Sequence, residues 1–370
     1  MSTGVAAVAV IGGGIAGSAA CLSLAQSGSD VLWIAPDDPP TARPGEHLAP
    51  AGGPLLDSLG ARHLLEQTCH RPAQTMLSAW GQSRLATRDA VVHLEGAGTV
   101  LDRSRFDADF AAMALAAGPD RVAAPLEQAE WRDGLWHLQA GGKERSARFL
   151  IDASGRAATV ASLRSSRFRT DQLVALYGFL DQDTQSDVAP TPASLVETVA
   201  EGWWYAALLA DGRLVLNHFS DPDLLPRNAT RDVTVLSCML ESTRHVGRWV
   251  AEAGFRIDAP PALASAATTW IAPAAGEGWL AVGDAAAAFD PLSSHGMTTA
   301  LWTGVRGASA ALAWLGGDDG PLADYVARVA AGVQEFLDAR QRIYALEGRF
   351  AEAPFWLRRS GVVAQDSTQT

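Results

Sequence analysis

The sequence predicts an α/β protein: a discontinuous Rossmann-like dinucleotide-binding domain with an inserted β-sheet domain and C-terminal helices. Three observations predict it. Residues 8–17 read V-A-V-I-G-G-G-I-A-G, an apolar strand that runs into Gly12-x-Gly14-x-x-Gly17 and then into an alanine-rich helical pattern at 18–26. Two later apolar strands each end in a small-residue turn, Asp152-Ala153-Ser154-Gly155-Arg156 and Gly283-Asp284-Ala285-Ala286. Residues 166–269 shift to longer alternating strands carrying aromatics. A length of 370 residues exceeds what one compact core usually reaches, which predicts two domains or one domain with a large insertion.

Each glycine of the first motif has its own task. Gly12 allows the tight turn out of the strand, Gly14 lets a pyrophosphate approach the backbone, and Gly17 lets the helix pack close to the sheet. The free N–H groups at the helix start then hold phosphate. The second strand, residues 30–34, should lie parallel to the first. An acidic residue is expected at its end, about 20 residues past the glycines, to hold a ribose hydroxyl. Ala35 stands there, so either Asp37 reaches back or other groups hold the ribose.

Composition narrows the function. Hydrophobic residues make up 48% and charged residues 19%, as in ordinary globular enzymes, and the net charge of −12 disfavours a nucleic-acid partner. Lys143 is the only lysine, so chemistry that needs a catalytic lysine must use it or be excluded. It falls on the hairpin turn Gly141-Gly142, where a solvated loop charge is the simpler reading. Cys21, Cys69 and Cys238 have neither metal-type nor disulfide spacing, and no metal is expected. No signal peptide or bilayer-length apolar run is visible, which gives an expectation of a cytoplasmic protein without a transmembrane segment.

Residues 39–54 form a Pro/Gly-rich stretch containing Arg43, Glu46 and His47, read as a site loop against the alternative of a solvated linker. A helix is expected over 53–66 and strand-like alternation over 76–94. Residues 100–118 begin with Asp102-Arg103 and continue as an amphipathic helix in which Asp107 is a helix-terminus charge. Residues 121–153 read as a β-meander with turns at Asp133-Gly134 and Gly141-Gly142. Residues 202–219 form the clearest hairpin, around Asp211-Gly212, and a single helix is expected over 233–253. Further helices are expected at 297–315 and 322–349.

In order, the motifs at 12–17, 152–156 and 283–297 resemble those of flavoprotein monooxygenases of the p-hydroxybenzoate hydroxylase fold, and the likeness spans nearly the whole chain. The resemblance implies a GR2-type FAD-binding domain. Gly12, Gly14 and Gly17 would hold the ADP half. Asp152 and Gly155 would help hold the pyrophosphate. Gly283 and Asp284 would touch the ribityl or pyrophosphate region. Pro291, Gly296 and Met297 would present backbone N–H groups to the flavin pyrimidine, and Arg43 and Arg103 match flavin-contacting arginines. The implied FAD domain comprises 1–75, 100–165 and 270–320, the substrate sheet 76–99 and 166–269, and the C-terminal helix and tail 321–370.

Four segments carry a narrower likeness: Arg43-Pro-Gly-Glu-His-Leu, Gly202-Trp-Trp-Tyr-Ala, Asp290-Pro-Leu-Ser-Ser-His-Gly and Ala353-Pro-Phe-Trp-Leu-Arg-Arg. They resemble the halogenase-like branch, which includes flavoprotein maturases that hydroxylate a tryptophan of a partner oxidase to build its tryptophylquinone. Tryptophan halogenases need a lysine and carry Trp-x-Trp-x-Ile-Pro. Here Lys143 is misplaced and Trp203-Trp204 are adjacent, so hydroxylation is the reading that remains. It implies FAD, NADPH or NADH as a transient reductant, O2 as co-substrate, a flavin hydroperoxide as oxidant, and an aromatic substrate that could be a precursor oxidase.

Glu46, His47 and His295 are the candidate acid/base groups, whereas Trp203, Trp204 and Tyr205 are read as sheet packing rather than substrate stacking. A small-molecule aromatic hydroxylase or halogenase-like enzyme, an isoprenoid double-bond reductase and a non-catalytic flavin-binding assembly factor are the alternatives.

Overall fold

A computed structural model of the chain describes residues 4–37, 44–89 and 96–359. The chain divides into two compact units. Unit 1 comprises Met1–Arg71, Gly98–Asp171 and Ala267–Gln334, and unit 2 comprises Pro72–Ala97, Gln172–Ala266 and Glu335–Thr370. Residues 166–171, which the sequence groups with the substrate sheet, belong to unit 1. The segment set apart as 321–370 is divided between the units at Gln334.

Unit 1 is built on a parallel sheet. Its central strand, Ala6–Ile11, lies between Val31–Ile34 and Lys143–Asp152, and Trp279–Ala281 extends the sheet beyond Lys143–Asp152. Val8, Ala9 and Val10 are fully buried, which is why this run is apolar on both faces. The register decides the rest: Ile11 is level with Asp152 and with Ile34, and Asp152 is level with Ala281. The residues that follow these strand ends therefore meet at one carboxyl edge, where open α/β sheets bind ligands.

The helix Ile15–Gln26 follows the first strand and packs against Gly296–Leu315 through small residues. The meander is formed by Leu126–Arg132, Leu135–Ala140 and Lys143–Asp152. Its turns place Asp133-Gly134 and Gly141-Gly142 at positive φ, as type I′ hairpin turns require. The helix expected over 53–66 is two short pieces, Gly52–Ser58 and Arg62–Glu66, because Gly60 adopts φ +68° between them.

Unit 2 is a mostly antiparallel sheet, in which Val174–Gln182, Leu214–Ser220, Gly202–Leu208 and Ala193–Val199 are successive neighbours. Thr75–Ala79 joins Ala193–Val199 in parallel and pairs with Ala86–Asp89; residues 90–94 of the strand-like stretch lie outside the described residues. Strand alternation sends Leu176, Leu195, Trp204, Ala206, Leu214 and Leu216 into one core with Leu236, Leu240, Val246 and Val250.

The single helix expected over 233–253 is two, Val233–Leu240 and Val246–Glu252. The carboxylate of buried Glu197 accepts hydrogen bonds from the backbone N–H groups of Arg244, His245 and Val246 at 2.6–2.9 Å. An anion at that point starts a new helix rather than continuing the old one. The C-terminal residues close unit 2: Trp356 Nε1 donates to the Val199 carbonyl at 2.9 Å, and buried Arg359 pairs with buried Asp221.

Candidate functional site

The site in unit 1 is assembled by backbone shape. Gly12, at φ +114°, sits where a Cβ would collide with the Ala153 carbonyl, and a Cβ on Gly17 would collide with the Gly12 carbonyl. Gly14 is different: a Cβ there meets no protein atom within 4 Å, and Gly13 and Gly14 are exposed. The helix it opens has no capping side chain and no acidic residue in its first turn. A bare, uncapped helix start with room in front of it suits a phosphate group.

The second turn is held from within. Asp152 is fully buried; its Oδ1 accepts from Ser154 N–H and Oγ–H, and its Oδ2 from Val160 and Ala161 N–H at 2.8 and 2.7 Å. Its carboxylate is thus engaged with the chain itself and shapes the turn that carries Gly155. A Cβ on Gly155 would meet nothing within 4 Å.

The third turn meets the same edge. Val282 N–H donates to the Asp152 carbonyl at 2.9 Å, and Gly283 N–H donates to Thr303 Oγ1 at 2.7 Å, tying the Gly-Asp turn to the helix Gly296–Leu315. Asp284 lies 3.5 Å from Arg156, whose guanidinium also donates to the carbonyls of Ala267 and Phe289. Burial pushes the Asp284 carboxyl above its ordinary value, although 42% of its side-chain surface is open, and Arg156 and Arg103 oppose that shift. Arg156 stands in the quoted motif, but its role was not assigned from sequence; the signal was a basic residue directly after the turn glycine. Thr303, in mid-helix, gave no signal.

The start of Gly296–Leu315 is a second uncapped helix terminus. Asp290 caps the preceding turn through Leu292 N–H at 3.2 Å, and Pro291 is exposed. His295 and Gly296 are also exposed, a Cβ on Gly296 would meet nothing, and Met297 is buried. Thr298 Oγ1, in this first turn, is buried without a partner among the described residues.

The loop of Glu46 and His47 is braced by Arg103, which donates to the Gly45 carbonyl at 2.8 Å while pairing with Asp107 at 2.9 and 3.1 Å. Glu46 is buried, its Oε2 accepting from Gly45 N–H and its carbonyl from Leu101 N–H. His47 Nδ1 is buried with no partner among the described residues, and burial lowers the His47 pKa, with His295 and Arg71 adding to the effect. Arg43 lies outside the described residues. Asp37 is exposed and paired with Arg121 at 3.1 Å. Lys143 opens the strand that ends at Asp152, about 30 Å away along nine strand residues at about 3.3 Å each.

No family model matches the chain. It is 28% identical over 363 residues to LodB of Marinomonas mediterranea, assigned by name as an FAD-dependent oxidoreductase, covering 95% of each chain. It is 26% identical over 330 residues to a tryptophan 2-halogenase of Chondromyces crocatus, covering 84% of this chain and 62% of that one. Among solved structures, the myxobacterial chondrochloren halogenase CndH superposes with TM-score 0.86 at 20% identity, covering 98% of this chain and 87% of that one. The peptidyl tryptophan dihydroxylase QhpG, essential for tryptophylquinone cofactor biogenesis, superposes with TM-score 0.75 at 23% identity, covering 99% and 81%. The chain is thus similar in sequence to an FAD-dependent oxidoreductase and to a halogenase, and it shares its fold with CndH and QhpG.

Proposed function

We propose that this chain is an FAD-dependent monooxygenase that hydroxylates an aromatic ring, and that its substrate is a tryptophan side chain of a partner oxidase destined to become a tryptophylquinone. The observation that carries the reading is the pair of uncapped helix starts, at Gly14 and Gly296, beside the three turns at one sheet edge. The donor set fits FAD: Gly14 and Gly155, where a Cβ would meet nothing, would leave backbone open to the pyrophosphate, Gly12 and Gly17 would close the turn and seat the helix behind it, and Gly283 and Asp284 would face the ribityl region. Asp152 acts by shaping its turn. Gly296 and Met297, with Pro291 before them, would offer N–H groups to the flavin pyrimidine, and Arg103 would stand near the ring; Arg43, outside the described residues, is proposed as a second flavin contact.

FAD, once reduced by NADPH or NADH, supplies the activation of O2. With FAD bound, the helix start at Gly296 would favour negative charge near its N–H groups, an effect of about 0.3–2 kcal/mol. His47, kept neutral by burial, and His295 beside it are the groups placed to hold or move a proton, with Glu46 fixing the loop that carries His47.

QhpG, a peptidyl tryptophan dihydroxylase of the same fold, supports the protein-substrate form of the reading. The distance of Lys143 from the turns weighs against lysine-dependent halogen transfer. The test is co-expression with a precursor oxidase, with mass spectrometry of its tryptophans. Oxygen added to one tryptophan, dependent on FAD and O2, supports the proposal. An unmodified precursor, or halide incorporated into a small aromatic, overturns it.

A further inference from the structure

The two faces of the unit 2 sheet differ in kind. Register pairs Trp204 with His218, and their rings lie 4.6 Å apart on the face that packs against the helices. By strand alternation Trp203, Tyr205, Asn217 and Phe219 share the opposite face, with Tyr205 directly across from Asn217 and Tyr177 across from Asn217 on the other side. On that face Trp203 is fixed: it stacks on Phe219 at 4.0 Å and donates from Nε1 to Tyr344 Oη at 3.2 Å. Tyr205 and Tyr177 are half-buried.

Amid these rings stands one amide. Asn217 is 1% exposed, and its Oδ1 has no hydrogen-bond partner among the described residues. A buried carbonyl oxygen without a donor is costly in a folded protein, and the cost is removed when a ligand brings the donor. Aromatic neighbours beside an acceptor favour a flat aromatic ligand that carries an N–H over a charged or hydroxyl-rich one.

We propose that Asn217 is the substrate-selecting residue of the unit 2 sheet, accepting a hydrogen bond from the ring N–H of an indole laid against Tyr205 and Tyr177. This rests on the monooxygenase reading and deepens it by assigning the group that separates indole from other aromatic rings. The register explains why the position is useful: Asn217 is flanked by strands on both sides, so its amide is held without a flexible loop.

The test is calorimetric binding of indole and of 1-methylindole to the FAD-loaded protein, without reductant. Wild type should bind indole about tenfold more tightly than 1-methylindole, the effect of one hydrogen bond to a buried acceptor. In Asn217→Leu the two should bind alike, with FAD content unchanged and a melting temperature no lower than that of wild type as the check on folding. Equal binding of both probes by wild type overturns the proposal without recourse to the variant, as does no binding of indole, or a preference for indole that survives in Asn217→Leu. Because no turnover is needed, failure of oxygen transfer and failure of this assignment are separate results.

Discussion

Gly304 lies against the carbonyl of Ala16: a Cβ at residue 304 would stand 2.6 Å from that oxygen and 2.8 Å from the Ala19 methyl. The two helices whose uncapped starts define the site are thus in backbone contact. Gly304→Ala must push them apart, and overpacking of this kind costs about 1–3 kcal/mol. The expected result is a lower melting temperature together with weaker FAD retention, read by thermal unfolding and by the flavin-to-protein absorbance ratio.

Gly14 and Gly17 should separate cofactor binding from folding. Gly14 has φ −77° and open space in front of it, so Gly14→Ala should leave the melting temperature of the FAD-free protein unchanged while weakening FAD binding by about tenfold or more. Gly17→Ala meets the Gly12 carbonyl and should lower that melting temperature. Equal effects of the two variants on the FAD-free protein would refute the distinction.

Burial holds the pKa of His218 down to about 3 from its ordinary 6.5. The unfolded chain takes up a proton below 6.5 that the native state refuses. The contribution is therefore fully present above pH 6.5 and is lost as pH falls toward 3, by up to about 1.4 kcal/mol per pH unit. Urea unfolding at pH 7, 6 and 5 should show a falling stability for wild type and a shallower fall for His218→Phe. His47 and His70, whose pKa values burial also lowers, supply the slope that remains.

Neighbouring arginines near the C-terminus should behave unlike each other. Arg359 and Asp221 are both buried and paired at two points, and the Arg359 guanidinium lies 3.8 Å from the Phe355 ring. Burial alone would raise the Asp221 carboxyl, but hydrogen bonds from Arg359 and then Arg358 bring it below its ordinary value. Arg359→Ala leaves a buried carboxylate without its main partner and should cost about 3–5 kcal/mol. Arg358, with 46% of its side chain exposed, should cost no more than about 1 kcal/mol when replaced by alanine. Denaturant unfolding of the two variants measures both.

The fold class was legible because its signals are local: an unbroken apolar strand, glycines at fixed spacing, and an alanine-rich helix. Turn chemistry was legible for the same reason at Asp133-Gly134 and Gly141-Gly142, where only certain residues tolerate positive φ. The sequence also singled out Asp152 and Asp284 in the glycine-containing motifs and His47 in the loop at 39–54. It could not show that four internal donors already occupy the Asp152 carboxylate, or that Arg156 stands by Asp284. The break between Val233–Leu240 and Val246–Glu252 was hidden too, since the carboxylate that starts the second helix comes from residue 197 on a strand.

What the sequence determined by itself is the order of strands, turns and helices, because backbone preference and apolar period act over a few residues. Register belonged to the tertiary structure: that Ile11, Asp152 and Ala281 end level, and that Asn217 faces away from the helices among tyrosines, follows from pairing between distant strands. A shift of one residue in that pairing would turn each side chain to the other face, and no local pattern records which alignment the assembled sheet adopts.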